Sequence, residues 1–423
     1  MATLLEQIVM APRKPKKFGE VFEIIDGDRG TNYPSKSEFT KSGYCVFLNT
    51  KNVPSQGFDF SDVDFISKER DQLLRKGRLT RNDMVMTTRG TIGNVALYTE
   101  DFPFDCIRIN SGMVILRPKP ENDRLYLYTL VKSTTFNARL KNTSSGSAQP
   151  QLPIKDLKEI EIDVPELPIQ KKIAEILSTY DSKIENNNFI IKKLETVAET
   201  IFSEWFLNFK FPRQEKVKFV GSEMGDIPEG WSIKKISDIA DLNKGVSYTS
   251  KEIGTEEEGV ALINLGNFRR GGGFNPDGTK NYTGEYKQTH SVKPGQILIA
   301  MTDLTSNREV IGHPARLPEG FKKAVISLDV CSLVPKKDIY NEFLYYLMLD
   351  RSFSKLMASC ASGTNVSHLS KSHIEGYDFV FPSDELLIQF NNLVQPMITQ
   401  QAILDEENNT LRQSRDRLLA KLI

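Results

Sequence analysis

The feature that most constrains the fold of this chain is an internal repeat that runs through almost all of its 423 residues. IIDGDRGTNYPSK at residues 24–36 resembles IADLNKGVSYTSK at residues 239–251, which sets Gly30 against Gly245. The pairs that follow, in the same order, are CVFLNTKNV and VALINLGNF (45–53 and 260–268), and SSGSAQPQL and ASGTNVSHL (144–152 and 361–369). Chance similarity does not preserve order, so the sequence predicts a duplicated unit of about 200 residues.

The first part of each repeat combines strands with a little helix. Short strand-like runs such as GYCVFL and GQILIAM are separated by Gly, Pro, Asn and Asp. One helical stretch interrupts these strands in each repeat, at residues 123–140 and 341–357. This mixture predicts an α+β domain in each half of the chain.

Each repeat ends in a long helical pattern. Residues at alternating spacings of four and three positions form a stripe over 173–205 and another over 390–422, and each stripe contains one asparagine, Asn187 or Asn408. A period of about 3.5 residues requires a partner helix, and a buried asparagine can fix the register of such a pair. Packing of each helix on its own domain is the alternative. Because Pro396 lacks a backbone N–H, the second helix is expected to restart or kink there.

These patterns divide the chain into four segments. They are a first domain at 1–166, a helical spacer at 167–210, a second domain at 211–383 with residues 211–230 as the linker leading into it, and a C-terminal helical spacer at 384–423. About 40 helical residues make a rod of roughly 60 Å. The first spacer is therefore expected to hold two domains apart at a defined distance.

Composition excludes several classes of protein. The chain has no apolar run of membrane-spanning length and no signal peptide, so we expect a cytoplasmic protein without a membrane partner. Its four cysteines and four histidines are too scattered in sequence to predict a disulfide framework or a zinc site. The 55 Lys+Arg balance the 55 Asp+Glu, which argues against a protein that coats nucleic acid through its net positive charge. A protein that reads a DNA sequence through locally concentrated positive charge is still compatible with this balance.

Catalytic motifs are nearly absent from the sequence. Asp277, Glu285 and Lys287 have the residue types of a metal-dependent nuclease, but they lie in a glycine-rich hydrophilic stretch and have no equivalent in the first repeat. No phosphate-cradling loop and no Ser/His/Asp or Cys/His arrangement stands out. The sequence therefore predicts no catalytic, metal-binding or cofactor-binding residue. A nuclease and a protein-binding scaffold remain as alternatives to a DNA reader.

Side chains suited to DNA recognition concentrate in the repeated turns. Arg and Lys pair with guanine or phosphate, Asn and Gln with adenine, and Asp accepts from cytosine. In the first repeat the predicted DNA-binding residues are Arg29, Asn32, Tyr33, Lys36, Asn49, Lys51, Asn52, Arg89, Thr91 and Gln149. In the second repeat they are Lys244, Tyr248, Lys251, Asn264, Asn267, Arg269, Arg270, Thr302, Asp303, Arg308 and Asn365. Their concentration at matching places in two copies indicates a reader of double-stranded DNA.

Three segments carry a resemblance to a known family. LPIQKKIAEILSTYDSKIENNNFIIKKLETVAETIFSEWF (167–206) resembles the central helical region of the specificity (S) subunits of type I restriction-modification systems. GSEMGDIPEGWSIKKISDIADLNKG (221–245) resembles the segment that leads into the second target recognition domain of that family, and ENNTLRQSRDRLLAKLI (407–423) resembles its distal helical region. The chain departs from the pattern at Leu387, where the family has proline.

The resemblance implies two target recognition domains, each reading half of a bipartite DNA sequence, with two long helices packed as an antiparallel coiled coil between them. It implies that catalysis belongs to partners: two modification subunits that methylate adenine with S-adenosylmethionine, and restriction subunits that use ATP and Mg. This chain would bind no cofactor. The helix faces that bear Lys171, Glu175, Lys192 and Glu199 would dock the modification subunits or would simply be solvated. Because the two halves share only scattered identities, we expect an asymmetric recognition sequence.

Overall fold

A computed structural model divides the chain into two compact units. The first comprises Met1–Asn186 and Asn408–Ile423, and the second Asn187–Glu407. The described residues are 4–55, 57–143, 151–255, 259–304, 308–321, 323–363 and 366–423. Each unit therefore combines an α+β domain with part of both long helices. None of the described helices has the length and apolarity needed to cross a membrane.

Two small sheets form the centre of the first unit. The strands of this unit are β1 Arg13–Lys17, β2 Phe22–Asp26, β3 Cys45–Leu48, β4 Asp64–Ile66, β5 Met84–Thr87, β6 Val95–Leu97, β7 Ile107–Ile109, β8 Met113–Pro118 and β9 Glu161–Pro165. A four-stranded antiparallel sheet has the order β2-β8-β5-β6, and a three-stranded sheet has the order β4-β3-β7 with β3 parallel to β7. The helices are α1 Leu4–Val9, α2 Phe18–Val21, α3 Lys68–Leu73, α4 Arg124–Lys132, α5 Thr134–Thr143, α6 Ile154–Glu159 and α7 Leu167–Phe202.

Strands β3 and β5 and most of β8 of the first unit are buried on both faces. Successive side chains of a strand point to opposite faces. Met84 and Met86 therefore pack in the core that holds the helices, whereas Val85 packs with the three-stranded sheet. This double burial explains why the strand sequences are continuously apolar instead of alternating.

The second unit repeats this architecture. Its strands are β10 Phe219–Ser222, β11 Gly225–Pro228, β12 Ser232–Lys235, β13 Ala240–Lys244, β14 Ile253–Gly254, β15 Val260–Ile263, β16 Lys280–Tyr282, β17 Ser291–Val292, β18 Ile297–Ala300, β19 Thr302–Asp303, β20 Pro314–Arg316, β21 Ala324–Ile326, β22 Val330–Pro335, β23 Ser367–His368 and β24 Asp378–Phe381. The sheets have the orders β13-β22-β18-β20 and β14-β16-β15-β21-β17, and β15 is parallel to β21 as β3 is to β7. The helices are α8 Ile236–Ile239, α9 Asn341–Leu349, α10 Arg351–Cys360, α11 Lys371–Glu375 and α12 Asp384–Leu422. The predicted α+β duplication is confirmed.

Each helical stretch that was expected to be single is a pair of helices. In the first unit the break falls at Ser133, whose hydroxyl oxygen accepts a hydrogen bond from the Phe136 N–H at 3.1 Å. In the second unit it falls at Asp350, whose carboxylate accepts from the Ser352 N–H at 2.8 Å. A side chain that caps the following helix satisfies N–H groups that would otherwise lack a partner, so the break is stabilised locally.

The long helices α7 and α12 pack antiparallel within each unit. In the first unit Ile173 and Leu177 of α7 share a core with Leu422 of α12. Arg415 of α12 donates to Asp181 of α7 at 2.7 Å. Positions later in α7 thus meet positions earlier in α12, as the resemblance implied.

The second unit shows the same pairing. Ala198 and Phe202 of α7 share a core with Phe390 of α12, and the Asn187 amide donates to Glu407 at 2.8 Å. The stripe asparagines Asn187 and Asn408 are both 0% exposed. The heptad stripe therefore marks the buried seam of the helix pair, as the sequence predicted.

The expected restart at Pro396 is wrong, because α12 runs without interruption through this residue. Phe390 and Val394, in the turns just before it, are fully buried in the core of the second unit, whereas Pro396 itself is exposed. Most helical stability in proteins comes from packing of the apolar face. Here that packing outweighs the local cost of the proline ring.

We expect Pro396→Ala to stabilise the second unit by about 1–3 kcal/mol, because alanine restores a backbone N–H and removes the ring that crowds the carbonyl four residues earlier. Thermal unfolding of the full chain should then show a higher Tm for this unit. Gln395→Ala, at the neighbouring exposed position, is the control and should change stability by less than about 0.5 kcal/mol. A lower Tm for Pro396→Ala would contradict this account of the helix.

Candidate nucleic-acid interface

A short turn between β7 and β8 joins the loops of the first unit that carry predicted DNA-binding residues. We call residues 110–112 the first central turn. Its hydrogen bonds run from the Asn110 N–H to the Leu48 oxygen (2.9 Å), from the Thr88 N–H to the Gly112 oxygen (2.9 Å) and from the Arg29 guanidinium to the Ser111 oxygen (3.4 Å). The loops that follow β2, β3 and β5 therefore meet around one turn.

The second unit builds the same junction around residues 327–329, the second central turn, between β21 and β22. Its backbone hydrogen bonds run from the Ser327 N–H to the Ile263 oxygen, from the Leu328 N–H to the Val246 oxygen and from the Met301 N–H to the Asp329 oxygen, all at 2.8 Å. The Thr302 hydroxyl also donates to the Asp329 carboxylate at 2.8 Å. The loops after β13, β15 and β18 thus converge as their counterparts do.

A glycine brings the first of these loops close to each central turn. A Cβ on Gly27, just after β2, would lie 2.2 Å from the Asn110 oxygen, and one on Gly245, just after β13, would lie 2.1 Å from the Ile326 oxygen. Gly27 is therefore the counterpart of Gly245, and the sequence alignment that set Gly30 against Gly245 is wrong. The loop of the first unit is longer before the match resumes at Tyr33 and Tyr248.

The repeated loop that closes each domain also reaches this junction. In the first unit the Leu152 N–H donates to the Thr88 oxygen at 3.0 Å, and the backbones of Arg89 and Gln151 form an isolated antiparallel β-bridge. In the second unit the Leu369 N–H donates to the Met301 oxygen at 2.8 Å, beside the β19–β23 pair. Both copies of the loop therefore attach to the strand end that leads into the junction.

About half of the predicted DNA-binding residues are exposed on the loops around or near the junctions. They are Arg29, Lys36, Lys51, Arg89 and Thr91 in the first unit, and Lys244, Lys251, Arg269 and Arg270 in the second. Three of these cations are paired. Arg29 lies 3.2 Å from Asp26, Lys51 lies 2.6 Å from Asp62, and Arg270 lies 2.9 Å from Glu309. Hydrogen bonds from Lys41 and Lys51 lower the pKa of Asp62 to about 2.

Other predicted residues are buried and hold the loops in shape. They are Asn52, Asn264, Asn267, Thr302 and Asp303. Asn52 and Asn267 occupy matching places, since the side-chain oxygen of each accepts from the backbone N–H three residues earlier, at 3.0 and 2.9 Å. The Asp303 carboxylate accepts from the Val310 and Ile311 N–H groups at 2.6 and 3.2 Å. These side chains position the exposed residues.

The remaining predicted residues are partly buried or lie outside the described residues. Asn32, Tyr33, Asn49, Tyr248 and Arg308 are partly buried. Burial raises the pKa of Tyr33, whose ring packs edge-on against Phe47 at 5.6 Å. The Arg308 guanidinium donates to the Ala358 oxygen at 2.6 Å and to Ser367 at 3.1 Å. Gln149 and Asn365 lie outside the described residues.

Comparison with known proteins assigns the family. Residues 12–196 and 228–405 match the family described as type I restriction modification DNA specificity domain, one copy in each repeat. The chain belongs to this family. The resemblance stated from residues 167–206, 221–245 and 407–423 is thereby confirmed.

Named relatives of this specificity-subunit chain come from archaea and bacteria. The type I restriction enzyme MjaIX specificity subunit of Methanocaldococcus jannaschii is 28% identical over 345 residues, which cover 81% of this chain and 77% of the relative. The HindI specificity subunit of Haemophilus influenzae is 22% identical, with coverage of 94% and 97%. The crystal structure of an S subunit from M. genitalium superposes with a TM-score of 0.55 at 18% identity, covering 98% of this chain and 96% of that one, and supports the fold.

The tips of the central turns were missed by sequence reasoning. Ser111 occupies the tip of the first turn and Leu328 that of the second, where Leu328 is 50% exposed. The sequence signal for both turns is a short interruption, NSG or SLD, between two apolar runs.

The nuclease candidate does not form a metal site. Asp277, Glu285 and Lys287 are exposed side chains on the segment around β16. Within the described ranges, Cys45, Asp71 and Cys106 are the one set of His, Cys, Asp or Glu residues whose ligand atoms lie within 4.8 Å of one another. The family match supports neither the nuclease alternative nor the scaffold alternative.

The different roles of buried and exposed loop residues can be separated by mutation. We expect Asn267→Ala to destabilise the second unit by about 1–3 kcal/mol. The substitution removes two donated hydrogen bonds, to the Asn275 oxygen (2.9 Å) and the Thr279 hydroxyl (2.8 Å), and the bond accepted from Asn264. Arg269→Ala, at an exposed position two residues later, should leave the urea unfolding midpoint unchanged. Equal midpoints for the two variants would show that Asn267 does not hold the loop.

Proposed function

We propose that this chain is the DNA-reading subunit of a type I restriction-modification complex and that each unit reads one half of a bipartite sequence. The observation that carries this proposal is the junction around each central turn, in which two backbone hydrogen bonds of the first unit have equivalents in the second. A shared scaffold that presents different side chains is what two related readers of different sequences require.

The side chains at the two junctions favour an asymmetric target. Around the first central turn lie Arg29, Arg89 and Ser111, whereas Leu328 and Lys244 lie at or next to the second. Arginine suits bidentate contacts with guanine, and an exposed leucine suits thymine methyl groups. The two half-sites are therefore expected to differ in sequence.

The chain is proposed to act through partners. Two modification subunits would methylate adenine with S-adenosylmethionine, and restriction subunits would use ATP and Mg, while this chain supplies recognition. Lys171, Glu175, Lys192 and Glu199 are exposed on α7 and are available for docking of the modification subunits. Because half-sites about one helical turn apart present the same face of DNA, the length of the paired helices would set the number of base pairs between the halves.

The test is a genome-wide map of N6-methyladenine in the host with and without this gene. Loss of methylation at a single split, asymmetric motif, restored by the gene in trans, is the expected result. Complementation with a chain carrying Arg29→Ala and Arg89→Ala should fail to restore methylation or should relax one half of the motif only. An unchanged map in cells that express the modification subunits would exclude the proposal.

A further inference from the structure

Two cysteines far apart in sequence meet at the start of the parallel strand pair of the first unit. Cys45 opens β3 and Cys106 immediately precedes β7. Val46 and Ile107, the next residues on each strand, are register partners, and the Val46 N–H donates to the Cys106 oxygen at 2.9 Å. Neighbouring strands lie about 4.8 Å apart, which falls within the Cα separation of roughly 4.4–6.8 Å that a disulfide spans. The two Sγ atoms lie within 4.8 Å of each other.

Asp71 completes this cluster, but its charge is already neutralised. Its carboxylate accepts from the Arg108 Nε at 2.5 Å and pairs with the Arg78 guanidinium at 3.2 Å. The Cys106 thiol lies 3.7 Å from the same carboxylate. A divalent metal would need the Asp71 oxygens that the two guanidinium groups occupy, and it would be repelled by their positive charge. The cluster therefore favours chemistry between the two thiols over metal binding.

The two thiols are not equivalent. The hydrogen bond with Cys45 lowers the pKa of Cys106, with help from the Arg78 charge; burial, the Asp71 charge and the hydrogen bond to Asp71 oppose this shift. The same hydrogen bond, together with burial, raises the pKa of Cys45. Cys106 is also the more accessible of the two, 7% exposed against 0% for Cys45. Since the thiolate is the nucleophile in thiol exchange and must reach the oxidant, Cys106 is the sulfur that reacts first.

We propose that Cys45 and Cys106 form a site of reversible oxidative modification, at which a disulfide oxidant such as glutathione disulfide converts the pair into an intrachain disulfide. The Cys106 thiolate attacks one sulfur of the oxidant, a mixed disulfide forms and one glutathione thiolate leaves. Cys45 then loses its proton and attacks the Cys106 sulfur, and the second glutathione leaves as a thiolate. Two protein thiols are oxidised and one oxidant is reduced to two thiols.

The cross-link would join the N-terminal ends of two β-strands whose C-terminal ends lead to the DNA-reading junction. β3 leads into the turn that contains Asn49 and Asn52, and β7 leads into the first central turn. A covalent link between the N-terminal ends of β3 and β7 should suppress local opening of this β-strand pair. Amide hydrogen exchange in β3 and β7 should slow by at least about tenfold in the oxidised protein, while β15 and β21 of the second unit remain unchanged.

The test is to incubate the full chain with glutathione disulfide, alkylate the remaining thiols and map peptides by mass spectrometry. A linked pair of peptides containing Cys45 and Cys106 is expected, while Cys331 and Cys360 of the second unit form no such link. In Cys45→Ser the oxidant should remain attached to Cys106 as a mixed disulfide, and Cys106→Ser should abolish both products.

Two results would overturn the proposal. One is a peptide map of the wild-type protein in which Cys45 and Cys106 are both fully alkylated although Cys331 or Cys360 carries glutathione. The other is zinc bound in equimolar amount and released only when these thiols are blocked, which would make the cluster a metal site. Because the wild-type peptide map is decisive by itself, the proposal stays testable even if a serine variant fails to fold.

Discussion

Gly27→Ala and Gly245→Ala should each lower the affinity for cognate DNA by about 100-fold or more, because several base contacts of one half-site would be displaced together. The new methyl group would lie 2.2 Å from the Asn110 oxygen in the first unit, or 2.1 Å from the Ile326 oxygen and 2.2 Å from the Ser327 oxygen in the second. Backbone atoms cannot rotate away as a flexible side chain can, so the central turn itself must shift.

Each variant should lose discrimination at one half-site only. Binding is measured for the cognate duplex and for duplexes in which one half or the other is scrambled. Gly27→Ala should no longer distinguish a scrambled first half from the cognate one, yet should still discriminate at the second half; Gly245→Ala should behave in the opposite way. Gly320→Ala is the matched control, since a Cβ there has no neighbour within 4 Å. Loss of discrimination at both halves in one variant would contradict independent reading.

Much of the architecture follows from patterns that the sequence displays directly. The order of the repeated segments predicts two related α+β domains, because order survives duplication even when identities are lost. The heptad spacing predicts the seam of α7 and α12, since residues three and four positions apart must share one helix face. The same spacing places Asn187 and Asn408 in this seam, and both are buried.

The junctions could be predicted only in part, because their decisive contacts join residues distant in sequence. The asparagines at 52 and 267 have the residue type that reads adenine, yet they are buried because their amides satisfy backbone groups of their own loop. Gly30 was matched with Gly245 because local similarity cannot detect the extra residues in one loop. Cys45 and Cys106 come together because β3 and β7 pair in parallel in one particular register. The spacing of cysteines along the sequence does not predict this register.

Removing one partner of the buried ion pair between Arg108 and Asp71 is expected to destabilise the first unit strongly. Arg108 donates to the Asp71 carboxylate (2.5 Å) and to the backbone oxygens of Lys76 (2.7 Å), Asp71 (2.8 Å) and Leu74 (3.0 Å). Asp71 is 1% exposed, so Arg108→Met would leave a buried carboxylate without its main partner. Removing one partner of such a pair costs about 3–5 kcal/mol.

Two further variants test whether the loss of stability comes from breaking the buried ion pair or simply from removing an arginine side chain. Arg78→Met removes a guanidinium that contacts the same carboxylate from a side chain that is 48% exposed, and it should cost at most about 1 kcal/mol. The double variant Arg108→Met, Asp71→Leu should recover most of the loss in urea unfolding, because apolar groups of similar volume can replace a buried pair at little cost. If the double variant is as unstable as Arg108→Met alone, the cost lies in the backbone hydrogen bonds of Arg108 and not in the uncompensated charge of Asp71.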